Sequence, residues 1–418
     1  MKEKIQALIN EKKFSEIREE FRNLNNVEIS DLLNQFDKSE LIIIFRLLSK
    51  DQSADVFSYL EPEQQEIIIN AVTDRETEVL FRNLYFDDMI DIIEEMPSNL
   101  VKKILKNTNS EDRYLINQFL NYPENSAGSI MTTEYVDLKK NMKVSQAIKE
   151  IRDTVEEKEN IYTCYVISED RKLEGVVSLK ELITSDDDVT IESIMNRNFV
   201  SAHANDDQEV VADVIKKYDL IILPVVDIEN RLLGIITIDD IIDVIEQEDT
   251  EDFHRMAGIS PVEETYLKTS AFTMARQRIM WLVVLMISAT FTGRIIKSYE
   301  DVLQSVVVLA SFIPMLMDTG GNAGAQSSTT VIRALSLGDV EIKDIFKILR
   351  KEFLTSFIVA VVLAAINYLR LITLTKTSLD VALVVSGTLI LVVIISKVIG
   401  AILPVVAKTF KLDPAIMA

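Results

Sequence analysis

Apolar residues recur every third or fourth position through residues 1–122, and no glycine appears before Gly128. That spacing predicts one amphipathic helix after another. A weak repeat runs through the stretch: Asp31-Leu-Leu-x-x-Phe36, Asp55-Val-Phe-x-x-Leu60 and Asp91-Ile-Ile-x-x-Met96 share a pattern at spacings of 24 and 36 residues. Pro62 and Pro97 follow the second and third copies, where a proline can open the next helix. Stacked helical units, a small superhelical bundle over 1–122, are expected.

A second repeat has a different period. Ser129-Ile-Met131 returns as Ser193-Ile-Met195, and the run from Tyr165 to Ser178 returns as Pro224 to Thr237 at an offset of 59. Each copy predicts strand, turn, strand and helix, preceded by an amphipathic helix at 144–151 and 209–217.

Beyond Ile242 a charged helical stretch leads to four apolar runs, roughly 279–296, 303–335, 353–372 and 381–406, of a length that suits spanning helices. The second contains Pro314-Met-Leu-Met-Asp-Thr-Gly-Gly-Asn-Ala-Gly-Ala-Gln326. Lipid satisfies no exposed backbone polar group, so this polar, glycine-rich stretch predicts a helix broken near Gly320 that lines a wet pathway. Arg276 and Arg278 precede the first run, Arg333, Lys343, Lys347, Arg350 and Lys351 fill the second loop, and Lys408 and Lys411 follow the fourth. The positive-inside rule puts these regions, and the body preceding them, in the cytosol. The charged, amphipathic start at Met1-Lys-Glu-Lys-Ile predicts no secretory signal peptide.

Charge supports this division. The net charge of −22 is the sum of −27 over residues 1–275 and +5 over 276–418. An acidic body on a mildly basic apolar third excludes nucleic acid as the expected partner, because phosphates need the opposite sign. Cys164 is the only cysteine and reads as a small core residue, and His203 and His254 cannot supply a zinc site by themselves. No phosphate loop, dinucleotide fingerprint or nucleophile elbow occurs, so a non-enzyme is expected. What remains is carboxylate and amide oxygen, the ligand set of a hard cation such as Mg²⁺.

In the apolar third, Asp318, Asn322 and Gln326 are four apart and would share a helix face. Asp413 precedes Pro414 and reads first as a helix cap, second as an ion contact. Arg294 and Lys397 are expected to snorkel or to pair internally. In the acidic body, Asp87, Asp88 and Asp91 form one patch, Asp239, Asp240 and Asp243 a second, and Glu246, Glu248, Asp249, Glu251 and Asp252 a third. Each alone reads as a solvated face; three together suggest divalent binding between domains. The like charges of the third run are expected to repel. Gly234-x-x-Thr237-x-x-Asp240 matches the pattern with which cystathionine-β-synthase modules, which this repeat resembles, hold a nucleotide's ribose and phosphates; the first copy departs from it with Gly175-x-x-Ser178-x-x-Glu181.

The repeat at 125–246 resembles a tandem pair of cystathionine-β-synthase (CBS) domains. With the helical domain, the acidic helix and the Pro-x-x-x-Asp-Thr-Gly-Gly-Asn-Ala-Gly-x-Gln span, the whole chain resembles the MgtE family of magnesium transporters. The resemblance implies a mixed, mostly α fold: a helical domain over 1–122, α/β CBS modules over 123–244, an acidic connecting helix over 245–275 and a transmembrane domain over 276–418 with four spans. It also implies a homodimeric, multi-pass Mg²⁺ channel of the cytoplasmic membrane, embedded in lipid with its body in the cytosol. Cytosolic Mg²⁺ would close it at Asp87, Asp91, Glu209, Asp219, Asp240, Asp243 and the 246–252 run. Asn322 would line the pore, and ATP at the CBS pair would be a second ligand. Family members carry a fifth span with the main pore carboxylate; here it would begin at Asp413-Pro, and the sequence given ends at Ala418. A Na⁺- or H⁺-coupled exchanger and a non-conducting sensor are the other readings.

Overall fold

The computed structural model describes residues 1–418 except 156–157, 262–265, 267–268, 411 and 418, and omits the side chains of 51 and 110–112. Lys411 of the positive-inside reading lies outside the described residues. The chain divides into two compact units, Met1–Ile245 and Glu246–Ala418.

The first unit begins with ten short helices, α1 (Lys2–Asn10) to α10 (Ser110–Phe119). Their starts are written in the sequence. Asn25–Glu28 and Thr73–Glu76 form capping boxes, and Asp37 accepts from the Ser39 and Glu40 N–H groups. Pro62 occupies the opening turn of α6 (Pro62–Ala71). Such caps satisfy donors that helices this short would otherwise leave open. Helix α8 (Phe86–Glu95) buries Phe86, Met89, Ile90, Ile92 and Ile93. Phe86 meets Phe119 edge to face, with centroids 4.7 Å apart. This apolar stripe leaves Asp87, Asp88 and Asp91 on other faces of the helix.

Two three-stranded sheets follow. In the first, β1 (Tyr135–Leu138) runs parallel to β2 (Asn160–Ile167), which pairs antiparallel with β3 (Leu173–Ser178). The second repeats this with β4 (Ala202–His203), β5 (Ile222–Val226) and β6 (Leu232–Thr237). Helices α11 (Val144–Thr154) and α14 (Gln208–Tyr218) fill the crossovers, as parallel pairing demands. The pseudo-twofold relation is visible in hydrogen bonds. Leu173 donates to the Asn230 carbonyl while Leu232 donates to that of Arg171, both at 2.9 Å. Gly175 and Gly234 repeat because backbone crosses them: a Cβ would stand 3.1 Å from the Asn196 carbonyl oxygen and 2.5 Å from that of Thr132. Cys164 is buried in β2, and burial pushes its thiol up to about 12, as suits a core residue.

In the second unit, α16 (Ala271–Ser298), α19 (Ile345–Thr373) and α20 (Leu379–Thr409) lie in segments long and apolar enough to cross a membrane. The second apolar run differs from expectation. Its break falls earlier, between α17 (Glu300–Ser305) and a 3₁₀ segment at Val307–Phe312, where Val306 is non-helical. From Ile313 to Ser336 the chain is one continuous helix, α18, with Pro314 in its opening turn. There is no restart at Gly320. The proline sits where its missing N–H is harmless, and the glycines let helices approach rather than break one. A Cβ on Gly400 would lie 2.3 Å from the Gly324 carbonyl oxygen, and one on Gly320 2.7 Å from Val392. Small residues serve this purpose between helices in lipid.

Candidate metal centre and transmembrane polar face

Three segments of the first unit deliver carboxylates to one place. Asp87 comes from the first turn of α8 and Asp240 from the first turn of α15 (Ile238–Met256). Glu159 precedes β2. Ligand oxygens of these three lie within 4.8 Å of one another. Glu134 joins through the backbone, since the Glu159 N–H donates to its carbonyl at 3.1 Å. Asp87 Oδ1 and Glu159 Oε2 are buried with no hydrogen-bond partner. Clustered oxygens with unfilled lone pairs suit a hard divalent cation.

Electrostatics point the same way. Burial, then Asp88, pushes Asp87 up to about 6. Burial and Asp240 do the same for Asp88, and burial with Asp87 and Asp88 lifts Asp91, at the rim, to about 7. Asp240 reaches about 7 through burial, although the Thr237 hydroxyl bonded to it at 2.6 Å opposes the rise. Burial and Asp87 raise Glu134 and Glu159 to about 8, with Lys158 opposing at Glu134. A helix N-terminus favours a carboxylate by only about 0.3–1 kcal/mol, which desolvation and crowding outweigh here.

Of the residues singled out in the sequence, Asp87 and Asp240 therefore come together, with Asp88 and the exposed Asp91 beside Asp87 on α8. Asp239 and Asp243 are exposed on α15. Glu209 stands in the first turn of α14 and Asp219 at its left-handed C-cap, about 15 Å apart along the axis, so one chain does not bring them together. Glu134 and Glu159 escaped the sequence reading. They sit in irregular charged stretches, and the signal was a departure between repeats: the corresponding positions of the second copy are Asn198 and Tyr218. Gly234 is occupied with backbone packing, and Thr237 with Asp240 parallels the Ser178–Glu181 capping box of the first copy. Asp240 thus belongs both to the nucleotide pattern and to the acidic cluster.

In the second unit the acidic run is partly answered by cations. Arg255 pairs with both Glu251 and Asp413, and Arg333 of α18 stands 3.6 Å from Asp249. Simple self-repulsion is therefore not the whole picture. Glu246 is exposed and Glu248 half-buried. Burial, then Asp413, Glu248 and Asp249, pushes Asp252 up to about 6. Asp413 also accepts from the Ala415 N–H at 2.7 Å, capping the 3₁₀ turn Pro414–Met417. Asp318, Asn322 and Gln326 share an exposed face of α18, and Asn322 Nδ2 donates to Asp318 Oδ1 at 3.2 Å. The opposite pattern, Gly320, Ala323, Ser327 and Val331, is buried.

An acidic body built on CBS modules, attached to apolar helices with one polar face, defines a regulated membrane transporter. Family models agree along the chain: the MgtE intracellular N domain matches residues 24–125, the CBS domain 127–187 and 191–247, and the divalent cation transporter domain named MgtE 313–418. The chain is 30% identical to the magnesium transporter MgtE of Thermus thermophilus over 96% of its length and 90% of that protein, and 31% identical to that of Bacillus subtilis over 99% and 91%. It belongs to the MgtE family. Among solved structures, the soluble part of a magnesium transporter matches at a TM-score of 0.56 and 32% identity, covering 59% of this chain and 97% of that one. The cytosolic domain of the Mg²⁺ channel MgtE in complex with ATP matches at 0.56 and 29%, covering 58% and 100%.

Proposed function

We propose that this chain moves Mg²⁺ across the cytoplasmic membrane as a homodimer and that Mg²⁺ in the cytosol turns it off. The observation that carries the regulatory half is the Asp87, Glu159 and Asp240 cluster, whose orphaned oxygens a divalent cation would satisfy. A bound ion supplies two positive charges, and the chain's part is to hold it between α8, the strand-leading loop and the start of α15. Binding there draws the helical domain and both CBS modules onto one centre. The run Glu246–Asp252 continues α15 toward the membrane helices and carries further oxygen donors.

The permeation half rests on the polar face Asp318, Asn322 and Gln326. Mg²⁺ gives up water reluctantly, so amide and carboxylate oxygens there meet a largely hydrated ion. ATP at the CBS pair is a second ligand in this proposal, because a similar cytosolic domain is described in complex with it. Transport rather than catalysis is the reading the relatives' names support.

The test is Mg²⁺ flux into vesicles carrying the chain, with and without an imposed Na⁺ or H⁺ gradient. Flux independent of both gradients, lowered by Asn322→Ala and by Mg²⁺ on the cytosolic side, is the expected result. Gradient-dependent flux would make the protein an exchanger, and absence of flux would leave a sensor.

A further inference from the structure

The mechanism above leaves unused a buried cation in the membrane unit. Lys397 of α20 is only 6% exposed. Its Nζ donates to Ser327 Oγ of α18 at 3.3 Å. That hydroxyl donates in turn to Glu352 Oε2 of α19 at 2.6 Å. One serine thus joins a lysine and a glutamate from two other helices, and the three groups sum to zero charge. A charge in hydrocarbon is tolerated only when it is paired, so this bridge has one preferred arrangement.

Ser327 is one residue from Gln326 and four from Ala323, so it sits about 100° around the helix from the polar face. Glycine contacts between α18 and α20 set how close these helices come, but bare glycine surfaces do not select a rotation. We propose that Lys397 is a positioning residue. Through Ser327 and Glu352 it fixes the rotation of α18 about its axis and thereby presents Asp318, Asn322 and Gln326 to the ion path. The inference rests on the pore-lining reading of that face.

The test is labelling of the full chain in vesicles by a membrane-impermeant thiol reagent, after Cys164→Ala removes the only cysteine. Asn322→Cys should react and Ala323→Cys, on the buried face, should not. Adding Ser327→Ala, which keeps both charges, or Lys397→Met should lower the ratio of the two rates by about ten- to a hundredfold, the range for loss of one hydrogen bond to a charged group. Lys397→Arg should retain the ratio. In Lys397→Met with Glu352→Gln the unpaired charge is gone, so thermal stability should recover while the ratio stays low. A ratio unchanged by both Ser327→Ala and Lys397→Met, or one that recovers with stability in the double variant, overturns the positioning role. Should Lys397→Met fail to fold, Ser327→Ala decides by itself. An unreactive Asn322→Cys in the otherwise unaltered chain overturns the pore-lining reading itself.

Discussion

A carboxylate whose pKa rises on folding keeps a proton that the unfolded chain has already released. Asp87, Asp91 and Asp240 move from 3.8 to about 6, 7 and 7, and Glu134 and Glu159 from 4.5 to about 8. Between about pH 4 and pH 8 the native state therefore binds more protons than the unfolded one, and stability falls as pH rises through that window. In EDTA the chain should melt at a lower temperature at pH 8 than at pH 5.5. Mg²⁺ should raise the melting temperature most at pH 8, where it meets ionised oxygens. Asp87→Asn with Glu159→Gln should raise the melting temperature of the EDTA form at pH 8, where the native carboxylates are forced to ionise, and flatten its pH dependence. A melting temperature in EDTA that does not change with pH would mean the cluster is solvated. Asp87, Asp91 and Asp240 were legible as members of acidic runs. Glu134 and Glu159 were not, because their meeting depends on a loop reaching α8 rather than on any period along the chain.

At the scale of elements, Pro62 and Pro97 marked helix starts and the strand–turn–strand pair of each repeat could be read, whereas β1 and β4, which pair in parallel across a helix, could not. The glycines of α18 were harder. A glycine-rich stretch in a span is compatible with a break or with close packing, and the choice depends on what lies opposite. Here Gly400 and Val392 lie opposite. Gly400→Val should force α18 and α20 apart and destabilise the membrane unit by about 1–3 kcal/mol, read as a lower melting temperature in detergent. Gly387 is the control, since a Cβ there meets nothing within 4 Å. Gly387→Ala should leave stability unchanged or raise it by up to about 1 kcal/mol through helix propensity. Equal losses from both would remove the packing argument.

At the scale of the molecule, closing a gate from 1:99 to 99:1 needs about 5.5 kcal/mol of differential binding. Several weak Mg²⁺ sites acting together meet that figure, and closure should therefore be cooperative in Mg²⁺. Arg255 and Arg333 already neutralise part of the connecting run, which lowers the repulsion that Mg²⁺ has to overcome. Asp249→Asn with Asp252→Asn should make protease protection insensitive to Mg²⁺ over the range in which the unaltered chain becomes protected. An identical digestion pattern of the unaltered chain in EDTA and in excess Mg²⁺ would refute the sensing role. A mass corresponding to two chains in detergent is expected, and a strictly monomeric particle would count against a shared pore.

Local chemistry along the chain was enough to determine the helical body, the duplicated α/β modules and the apolar runs, because periodicity and charge act over a few residues; the acidic helix expected over 245–275 instead starts at Ile238 inside the second α/β module and ends at Met256. Tertiary structure decided what the ambiguous residues do. It turned a supposed break into a continuous helix with one polar and one packed face, since glycine's role depends on its neighbour. It brought Glu134 and Glu159 to Asp87, and Lys397 to Ser327, since a carboxylate's pKa and a buried charge's partner are set by distance in space, which sequence separation does not encode.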